Sequence, residues 1–179
     1  MEEGGNMEDV KDKVRQMIEG RRMESNLGLA AQLGLSEEAF VRNLPAGMAS
    51  EVPRDMFEEV VEQMVGWGRL RVVVGSENVI MEVLTRFPRG RRGHGFFNLH
   101  DEGCCLGGHL RVSELSSIHL VSQPFMGLET RSVQFFDLSG RCMFKVYLDR
   151  DEQRNILRDQ LQMFNSLRSR IGRQVGSSS

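Results

Sequence analysis

Residues 93–110, GHGFFNLHDEGCCLGGHL, contain three of the four histidines in the chain and two of its three cysteines. Imidazole and thiolate groups bind metal ions, and both take part in acid–base and nucleophilic catalysis. Glycines and two adjacent phenylalanines surround them. The segment is therefore the first candidate for a functional site.

The two cysteines do not indicate a metal site or a nucleophile. Cys104 and Cys105 are adjacent, and neighbouring side chains on a strand point to opposite faces, so one zinc ion cannot easily use both. A catalytic thiol needs a nearby base and an orienting group, and no local pattern provides them. We interpret both as packing or incidental residues. The odd cysteine count argues against a disulfide framework and fits a reducing cytosol.

The first part of the segment favours a flat ligand. Residues 93–100 are predicted to form one strand, in which alternate side chains share a face. His94 and Phe96 then lie on one face, and Gly95 and Phe97 lie on the other. Imidazole beside a phenyl ring suits haem, whose iron accepts a histidine ligand.

The second part of the segment is predicted to pair with the first in a hairpin that turns at residues 101–103. Gly107 and Gly108 precede His109, and glycine in a strand often marks a place where a ligand approaches the backbone. Nearby arginines can pair with haem propionates: Arg86, Arg89, Arg91 and Arg92. The alternative also stands, because a lone histidine in a sheet is often structural and an arginine run is usually solvated.

The other two histidines are expected away from the ligand. His100 adjoins the predicted turn and should be exposed. His119 alternates with Ile118 and Leu120, which predicts that it lies on the outer face of its strand.

The surrounding elements indicate an α+β fold. Apolar spacing and cap residues predict helices near 8–19, 25–33, 36–44 and 53–65. Seven strands with short links predict a large antiparallel sheet, at 69–75, 78–85, 93–100, 105–112, 117–122, 130–137 and 141–148. Asp149 is predicted to cap a long final helix, with Glu152 completing a capping box.

The chain length of 179 residues fits one domain with a small appended helical piece. Residues 1–24 are predicted to be a helical extension, 25–172 the main domain and 173–179 a disordered tail. The acidic start does not resemble a signal peptide, and no apolar stretch approaches 18 residues, so no membrane insertion is expected.

Residues 26–44 resemble a helix-turn-helix, which reads DNA with its second helix. That helix begins with Glu37 and Glu38 and holds a single arginine, Arg42, where a recognition helix needs cations to meet phosphate. The net charge of −2 also counts against a nucleic-acid partner. A packed helical hairpin is favoured, and a DNA-binding regulator remains an alternative.

Several short segments follow one another along the chain in a characteristic order and spacing: RNLP (42–45), WG (67–68), VIMEV, GHGFFNL, GHL (108–110), FMGLET (125–130), QFFDLSG and YLDRDEQRNIL. Through them the chain resembles the intracellular haem-utilisation carriers of the HutX/ChuX type, from about Leu35 to Phe164. The resemblance implies half of the two-part fold of larger cytosolic haem-handling proteins. It also implies a homodimer that binds haem in a cleft of the sheet and passes it to a cytosolic haem-degrading partner.

The resemblance also implies iron ligands, and this chain departs from the pattern twice. The family histidine of the GH(I/L) strand maps onto His109. The family tyrosine maps onto Phe96, which cannot bind iron, and a further family histidine maps onto Gly75. His109 is therefore the first candidate for the iron ligand, and His94 is the second.

The sequence thus predicts a soluble, cytoplasmic, dimeric haem carrier that is not an enzyme. The alternatives are the DNA-binding regulator and a haem-degrading enzyme. The predicted haem-binding residues are His109, His94, Phe96, Phe97, Gly108, Arg89, Arg91 and Arg92.

Overall fold

The computed structural model of the chain describes residues 7–20 and 24–176. The helices are α1 (Met7–Gly20), α2 (Asn26–Gln32), α3 (Glu37–Arg42), α4 (Phe57–Val65) and α5 (Arg158–Gly176). The strands are β1 (Ala49–Val52), β2 (Arg69–Gly75), β3 (Ile80–Arg86), β4 (Gly90–Gly93), β5 (Phe96–Leu99), β6 (Gly108–Leu110), β7 (Leu115–Phe125), β8 (Leu128–Asp137) and β9 (Cys142–Leu148). The predicted α+β class, with helices, then a large antiparallel sheet, then a long helix, is confirmed.

The strands form two antiparallel sheets rather than one. The larger sheet has six strands in the order β1-β7-β8-β9-β2-β3, and the smaller has three in the order β4-β5-β6. Two short strands escaped the sequence analysis: β1 has four residues, and β4 consists only of glycine and arginine. Neither shows the apolar alternation by which a half-buried strand is predicted.

Both faces of the six-stranded sheet are covered in part, and β3 at its edge is mostly exposed. On one face, α4, α5 and the small sheet enclose the main core, in which Val60, Phe97, Phe135 and Phe164 are almost fully buried. On the other face, α1, α2 and α3 pack over one side of the sheet in a second apolar cluster. That cluster contains Val14, Leu29, Phe40, Val121 and Phe136.

Helix α3 is buried against the sheet. Four of its six residues are buried, including Glu37 and Glu38. Lys145 Nζ on β9 lies 2.5 Å from Glu37 Oε1, and Ser117 Oγ on β7 donates to Glu38 Oε1 at 2.6 Å. Burial alone would lower the pKa of Lys145, but the Glu37 carboxylate beside it holds that pKa above its ordinary value. The predicted helical hairpin is thus a packed element whose two glutamates contact the sheet.

The final helix begins later and ends later than predicted. Asp149 does not cap it: its Oδ2 lies 2.6 Å from Arg69 Nε, and its N–H donates to Gln160 Oε1 at 2.7 Å. Helix α5 starts at Arg158, because residues 150–157 form a loop closed by an antiparallel bridge between Arg150 and Ile156. The helix then extends to Gly176, into the predicted disordered tail, whose residues 177–179 lie outside the described chain.

Candidate functional site

His94 lies in a turn and not on a strand. His94 and Gly95 form the two-residue turn between β4 and β5. The flanking residues Gly93 and Phe96 pair with each other. Both turn residues have positive φ, 53° for His94 and 80° for Gly95, as the type I′ hairpin turn requires. The prediction of one strand over 93–100 was therefore wrong, and His94 is exposed at the tip without sharing a strand face with Phe96.

The predicted hairpin between the two halves of the segment is present. Strand β5 pairs with β6, with His109 opposite Asn98 and Gly108 opposite Leu99. The connection is a loop of residues 100–107 rather than a tight turn. His100 is exposed beside it, as predicted, and its N–H donates to Arg89 O at 2.9 Å.

The outer face of the small sheet brings His109, Phe96 and Arg111 together. The His109 and Phe96 rings have centroids 5.9 Å apart in an edge-to-face arrangement. The Arg111 guanidinium carbon lies 5.0 Å from the Phe96 centroid, within cation–π range. This face therefore carries an exposed imidazole, an aromatic ring and a cation, and Arg111 was not among the residues predicted from the sequence.

Asn98 fixes the tautomer of His109. The Asn98 amide nitrogen donates to Gly93 O at 3.0 Å and to Arg91 O at 3.3 Å, which leaves its Oδ1 as an acceptor. This oxygen lies 2.6 Å from His109 Nδ1, so Nδ1 must carry the proton. The lone pair of the neutral ring is then on Nε2, the nitrogen that a metal ion can bind.

Two residues predicted to contact the ligand lie on the inner face of the small sheet. Phe97 is 4% exposed and packs edge-to-face on Phe57 at 5.1 Å. Gly108 is opposite Leu99 and shares this inner side, so it does not clear space on the face of His109. Gly90 is the glycine that the fold needs here, because a Cβ at this position would lie 2.0 Å from Phe97 Cε1.

The predicted arginine cluster divides between the two faces of the small sheet. Arg91 is opposite Asn98 and lies on the face of His109. Arg92 is opposite Phe97, on the other side, and its Nε lies 2.5 Å from Glu58 Oε1 of α4. Arg89 precedes β4, and Arg86 ends β3; both are exposed. Of the arginines within β4, only Arg91 is placed to meet a ligand at His109.

His119 is buried, so its prediction as an outer-face residue was wrong. Its side of the sheet is covered by the N-terminal helices, which leaves it 2% exposed. The ring stacks edge-to-face on Phe136 at 5.6 Å, and Nε2 lies 3.1 Å from Ser117 Oγ. Burial lowers the pKa of His119 to about 4. A ligand at the surface cannot reach this histidine.

The described residues form a cleft beside the β4–β5 turn and another on the six-stranded sheet. The hairpin cleft, of about 710 Å³, lies between the start of α4 and the β4–β5 turn, and its lining includes Arg54, Phe57, Arg92 and Phe96. The sheet cleft, of about 970 Å³, lies between α2 and strands β2, β3, β8 and β9. Among the residues that the structure describes, no histidine lines either cleft.

The sequence did not predict the sheet cleft, because the residues that line it come from distant parts of the chain. Its cations are Arg71, Arg131, Lys145, Arg150 and Arg154, and its single tyrosine is Tyr147. Burial raises the pKa of Tyr147, so the phenol stays protonated. One signal in the sequence could have indicated the cleft. Arg71 and Val73 are two residues apart on β2, and Lys145 and Tyr147 are two residues apart on β9, so each pair shares a face of its strand.

The cysteines do not assemble a metal centre. Cys104 is partly buried with its sulfur 3.2 Å from Arg86 O, whereas Cys105 is exposed. Within the described ranges 7–20 and 24–176, no three His, Cys, Asp or Glu side chains converge as metal ligands.

Comparison with known proteins assigns the family. The model of the haem utilisation ChuX/HutX family matches residues 50–167, about two thirds of the chain. The chain belongs to the ChuX/HutX family. It is 32% identical over 161 residues to the protein named intracellular heme transport protein HutX of Vibrio cholerae, which covers 90% of this chain and 83% of the relative.

Solved structures agree with the ChuX/HutX assignment. The structure described as the heme binding protein ChuX has 30% identity and a TM-score of 0.79, over 89% of this chain and 99% of that one. The heme degrading enzyme ChuS of Escherichia coli O157:H7 has 13% identity and a TM-score of 0.69. It covers 93% of this chain but only 49% of its own, so the fold corresponds to one half of that larger protein, as predicted.

The two departures from the ChuX/HutX pattern occupy different surfaces. Phe96 lies beside His109 on the outer face of the small sheet. Gly75 lines the sheet cleft at the end of β2.

No α-helix in the described part of the chain has the length and apolar character needed to cross a membrane.

Proposed function

We propose that this protein is a cytoplasmic haem carrier. The observation that carries the proposal is membership of the ChuX/HutX family, whose relatives include a protein named for intracellular haem transport and one named for haem binding. Carriage requires reversible ligation and does not require bond breaking, so we infer that the protein is not an enzyme.

His109 is the proposed iron ligand. Asn98 holds the proton on Nδ1, and the exposed ring offers Nε2 to iron. The Phe96 ring provides an apolar contact beside it, and Arg91 and Arg111 provide positive charge on the same face for propionates. His94, exposed on the neighbouring turn, is the second candidate.

A haemin titration followed by absorbance tests ligand and function together. Wild type should bind haemin, and His109→Ala should lose the spectrum of histidine-ligated iron. His100→Ala is the matched control, because His100 is also exposed in this segment but lies beyond β5. Absence of haemin binding by the wild type would refute the carrier proposal. A wild-type spectrum in His109→Ala, together with its loss in His94→Ala, would transfer the ligand to His94.

A homodimer is the proposed assembly. Strand β3 is an edge of the six-stranded sheet, and the β2–β3 hairpin exposes the apolar residues Val79, Ile80 and Met81 at 54%, 67% and 68%. Exposed apolar edges favour pairing with another chain. Two copies would also equal the length of the two-part relative, of which this chain covers one half.

Light scattering tests the dimer. Wild type should have twice the mass of one chain at micromolar concentration. Ile80→Glu with Met81→Glu should shift it to monomer, while Leu138→Glu, at an exposed apolar residue of a different turn, should not. Monomeric wild type would contradict the proposal.

A haem-degrading protein is the proposed recipient of the bound haem.

A carrier should return haem unaltered, whereas a haem-degrading enzyme destroys the porphyrin absorbance. Addition of a reductant and oxygen to the haem complex should therefore leave the porphyrin absorbance in place. Its progressive loss would favour the enzyme alternative.

The DNA-binding alternative is disfavoured by the position of α3. A recognition helix must expose one face to the major groove, but Glu37, Glu38, Phe40 and Val41 of this six-residue helix are buried against the protein. Binding of a selected DNA sequence with a dissociation constant near 10⁻⁸ M would reinstate it.

A further inference from the structure

The connection between β5 and β6, residues 100–107, carries two neighbouring thiols with different surroundings. Cys105 is exposed, whereas Cys104 is partly buried. Free cysteines in proteins are mostly buried, where they pack like small apolar residues and are inert. The interpretation as a packing residue therefore does not hold for Cys105, whose thiol is open to reagents in solution.

Cys104 attaches this loop to the edge of the six-stranded sheet. Its thiol donates to Arg86 O at 3.2 Å, and Thr85 Oγ1 lies 3.4 Å from the same sulfur, both on β3. Thr85 is buried, so the sulfur contacts a group below the surface. Of residues 101–107, all within the described chain, only Cys104 forms a hydrogen bond to that sheet. Leu106 adds apolar packing against the main core.

The peptide unit between the two cysteines can change its torsion angles without breaking a backbone hydrogen bond. It lies outside every helix and strand, and within the described chain neither Cys104 O nor Cys105 N–H is bonded to another backbone group. Gly103 precedes the pair with a φ of 72°, and Gly107 follows it. Glycine adopts backbone angles that other residues avoid, so the segment can accommodate a new covalent constraint.

A disulfide between adjacent residues is easily reduced. Neighbouring Cα atoms are about 3.8 Å apart, whereas the Cα atoms of an ordinary disulfide are roughly 4.4–6.8 Å apart. A bond between Cys104 and Cys105 is therefore strained, and strain makes a disulfide more reducible. Adjacency of the two thiols thus suits a bond that forms and breaks, and it does not suit a structural bond.

We propose that Cys104 and Cys105 form a reversible redox site, in which a small-molecule disulfide oxidises the two thiols to a disulfide between neighbouring residues. Oxidation removes the proton that Cys104 donates to Arg86 O, and so it detaches the 100–107 loop from β3. Because this loop joins the strands that carry Asn98 and His109, the redox state of the pair determines how firmly their hairpin is attached to the larger sheet.

The reaction consists of two thiol–disulfide exchange steps. The Cys105 thiolate attacks one sulfur of oxidised glutathione, whose S–S bond breaks, and one glutathione thiolate leaves. The Cys104 thiolate then attacks the Cys105 sulfur, the mixed disulfide breaks, and the second glutathione leaves. The protein loses two electrons and two protons, and the two glutathione molecules gain them as thiols.

Mass spectrometry of the haem-free protein after incubation with oxidised glutathione tests the redox site. Wild type should lose the mass of two hydrogen atoms in the peptide that contains both cysteines, and excess reduced glutathione should restore it. Cys104→Ser should instead retain one glutathione on Cys105, because the second thiol is absent. Cys105→Ser should react at least about tenfold more slowly, since its remaining loop thiol is partly buried.

Cys142→Ser is the matched control and should behave as wild type does. Cys142 is partly buried on β9, its thiol donates to Phe144 O, and burial raises the pKa of Cys142 to about 12. Its thiolate, the reactive form, is therefore scarce at neutral pH. Thermal melting of each variant checks the fold.

Amide hydrogen exchange tests the attachment of the loop. Exchange in residues 101–107 should be faster in oxidised than in reduced wild type, and Cys104→Ala should show the faster exchange without any oxidant, because it lacks the donor to Arg86 O. Equal exchange in all three would overturn the attachment.

The redox site is overturned by an unchanged wild-type mass, by a glutathione adduct that persists on wild type, or by modification of Cys142. A disulfide between Cys105 residues of two chains, seen as a doubled mass without reductant, also overturns it. These measurements use protein without haem, so none of their outcomes bears on the carrier proposal.

Discussion

Asn98 Oδ1 accepts a hydrogen bond from His109 Nδ1 at 2.6 Å, while the amide nitrogen of the same side chain donates to the backbone carbonyls of Arg91 and Gly93 in β4. One side chain of β5 thus connects the proposed iron ligand on β6 to β4. Because this bond orients the ring and selects the neutral tautomer whose lone pair is on Nε2, Asn98 should matter for haem binding although it does not contact iron.

Replacement of Asn98 by Ala should therefore weaken haemin binding by about tenfold or more, in the range seen when partners of metal ligands are removed. The ligand is still present, so the spectrum of histidine-ligated iron should return at higher haemin concentration. Asn78→Ala, in the exposed β2–β3 turn, is the control. Equal affinities of the two variants in an absorbance titration would show that His109 needs no orientation or is not the ligand.

Gly90 should tolerate no side chain. A Cβ there would lie 2.0 Å from Phe97 Cε1, and Phe97 is confined by its contact with Phe57. Gly90→Ala should lower the free energy of unfolding by about 2 kcal/mol, as overpacking of a core does. Gly108→Ala is the matched control in the same sheet, because a Cβ there meets nothing within 4 Å. Urea denaturation gives both values, and an equal effect would contradict this description of the packing.

Stability should fall in mild acid because of His119. Its pKa is about 4 in the folded protein and about 6.5 in the unfolded chain, so the unfolded chain takes up the proton first. The contribution of the neutral His119 ring to the free energy of unfolding is therefore fully present above pH 6.5. It is lost as the pH falls towards 4 and amounts to up to about 3 kcal/mol. The slope of unfolding free energy against pH should decrease in His119→Gln. An unchanged slope between pH 6.5 and 4.5 would exclude His119 as its cause.

The arginines of β4 should differ in their effect on haem. Arg91→Ala should weaken haemin binding by about 1 kcal/mol or less, and more at low salt than at high salt, because an exposed ion pair is screened. Arg92→Ala should have no effect, since Arg92 lies on the other face and is paired with Glu58. Titrations at two salt concentrations measure this. Equal losses would indicate that both meet the ligand or that the effect is only one of net charge.

Local sequence patterns predicted elements correctly where alternation or turn residues alone determined the structure. The α+β order, the β5–β6 hairpin and the exposure of His100 follow from alternation and turn residues. The 93–100 strand was wrong because histidine is rarely expected at positive φ, yet His94 adopts it in a two-residue turn. Asp149 fits a capping box, but its pairing with Arg69 from a distant strand prevails over that local tendency.

The parts of the site that the sequence did not reveal depend on contacts between distant segments. The position of His119 follows from the helices that cover the second face of the sheet, which alternation within its own strand cannot indicate. The split between Arg91 and Arg92 follows from β4, a strand without apolar residues. The sheet cleft combines α2, the β2–β3 hairpin and the loop before α5, and no short segment contains enough of it to form a pattern.

The ion pair between Glu37 and Lys145 has a consequence for how far the chain can be shortened. The family model matches from residue 50, which lies after α1, α2 and α3. A protein that began there would leave the Lys145 ammonium without its counter-charge and would expose Val121 and Phe136 to water. The smallest independently folding unit should therefore include α2 and α3 and so begin before residue 50, in agreement with the Vibrio cholerae relative, whose similarity covers 90% of the chain.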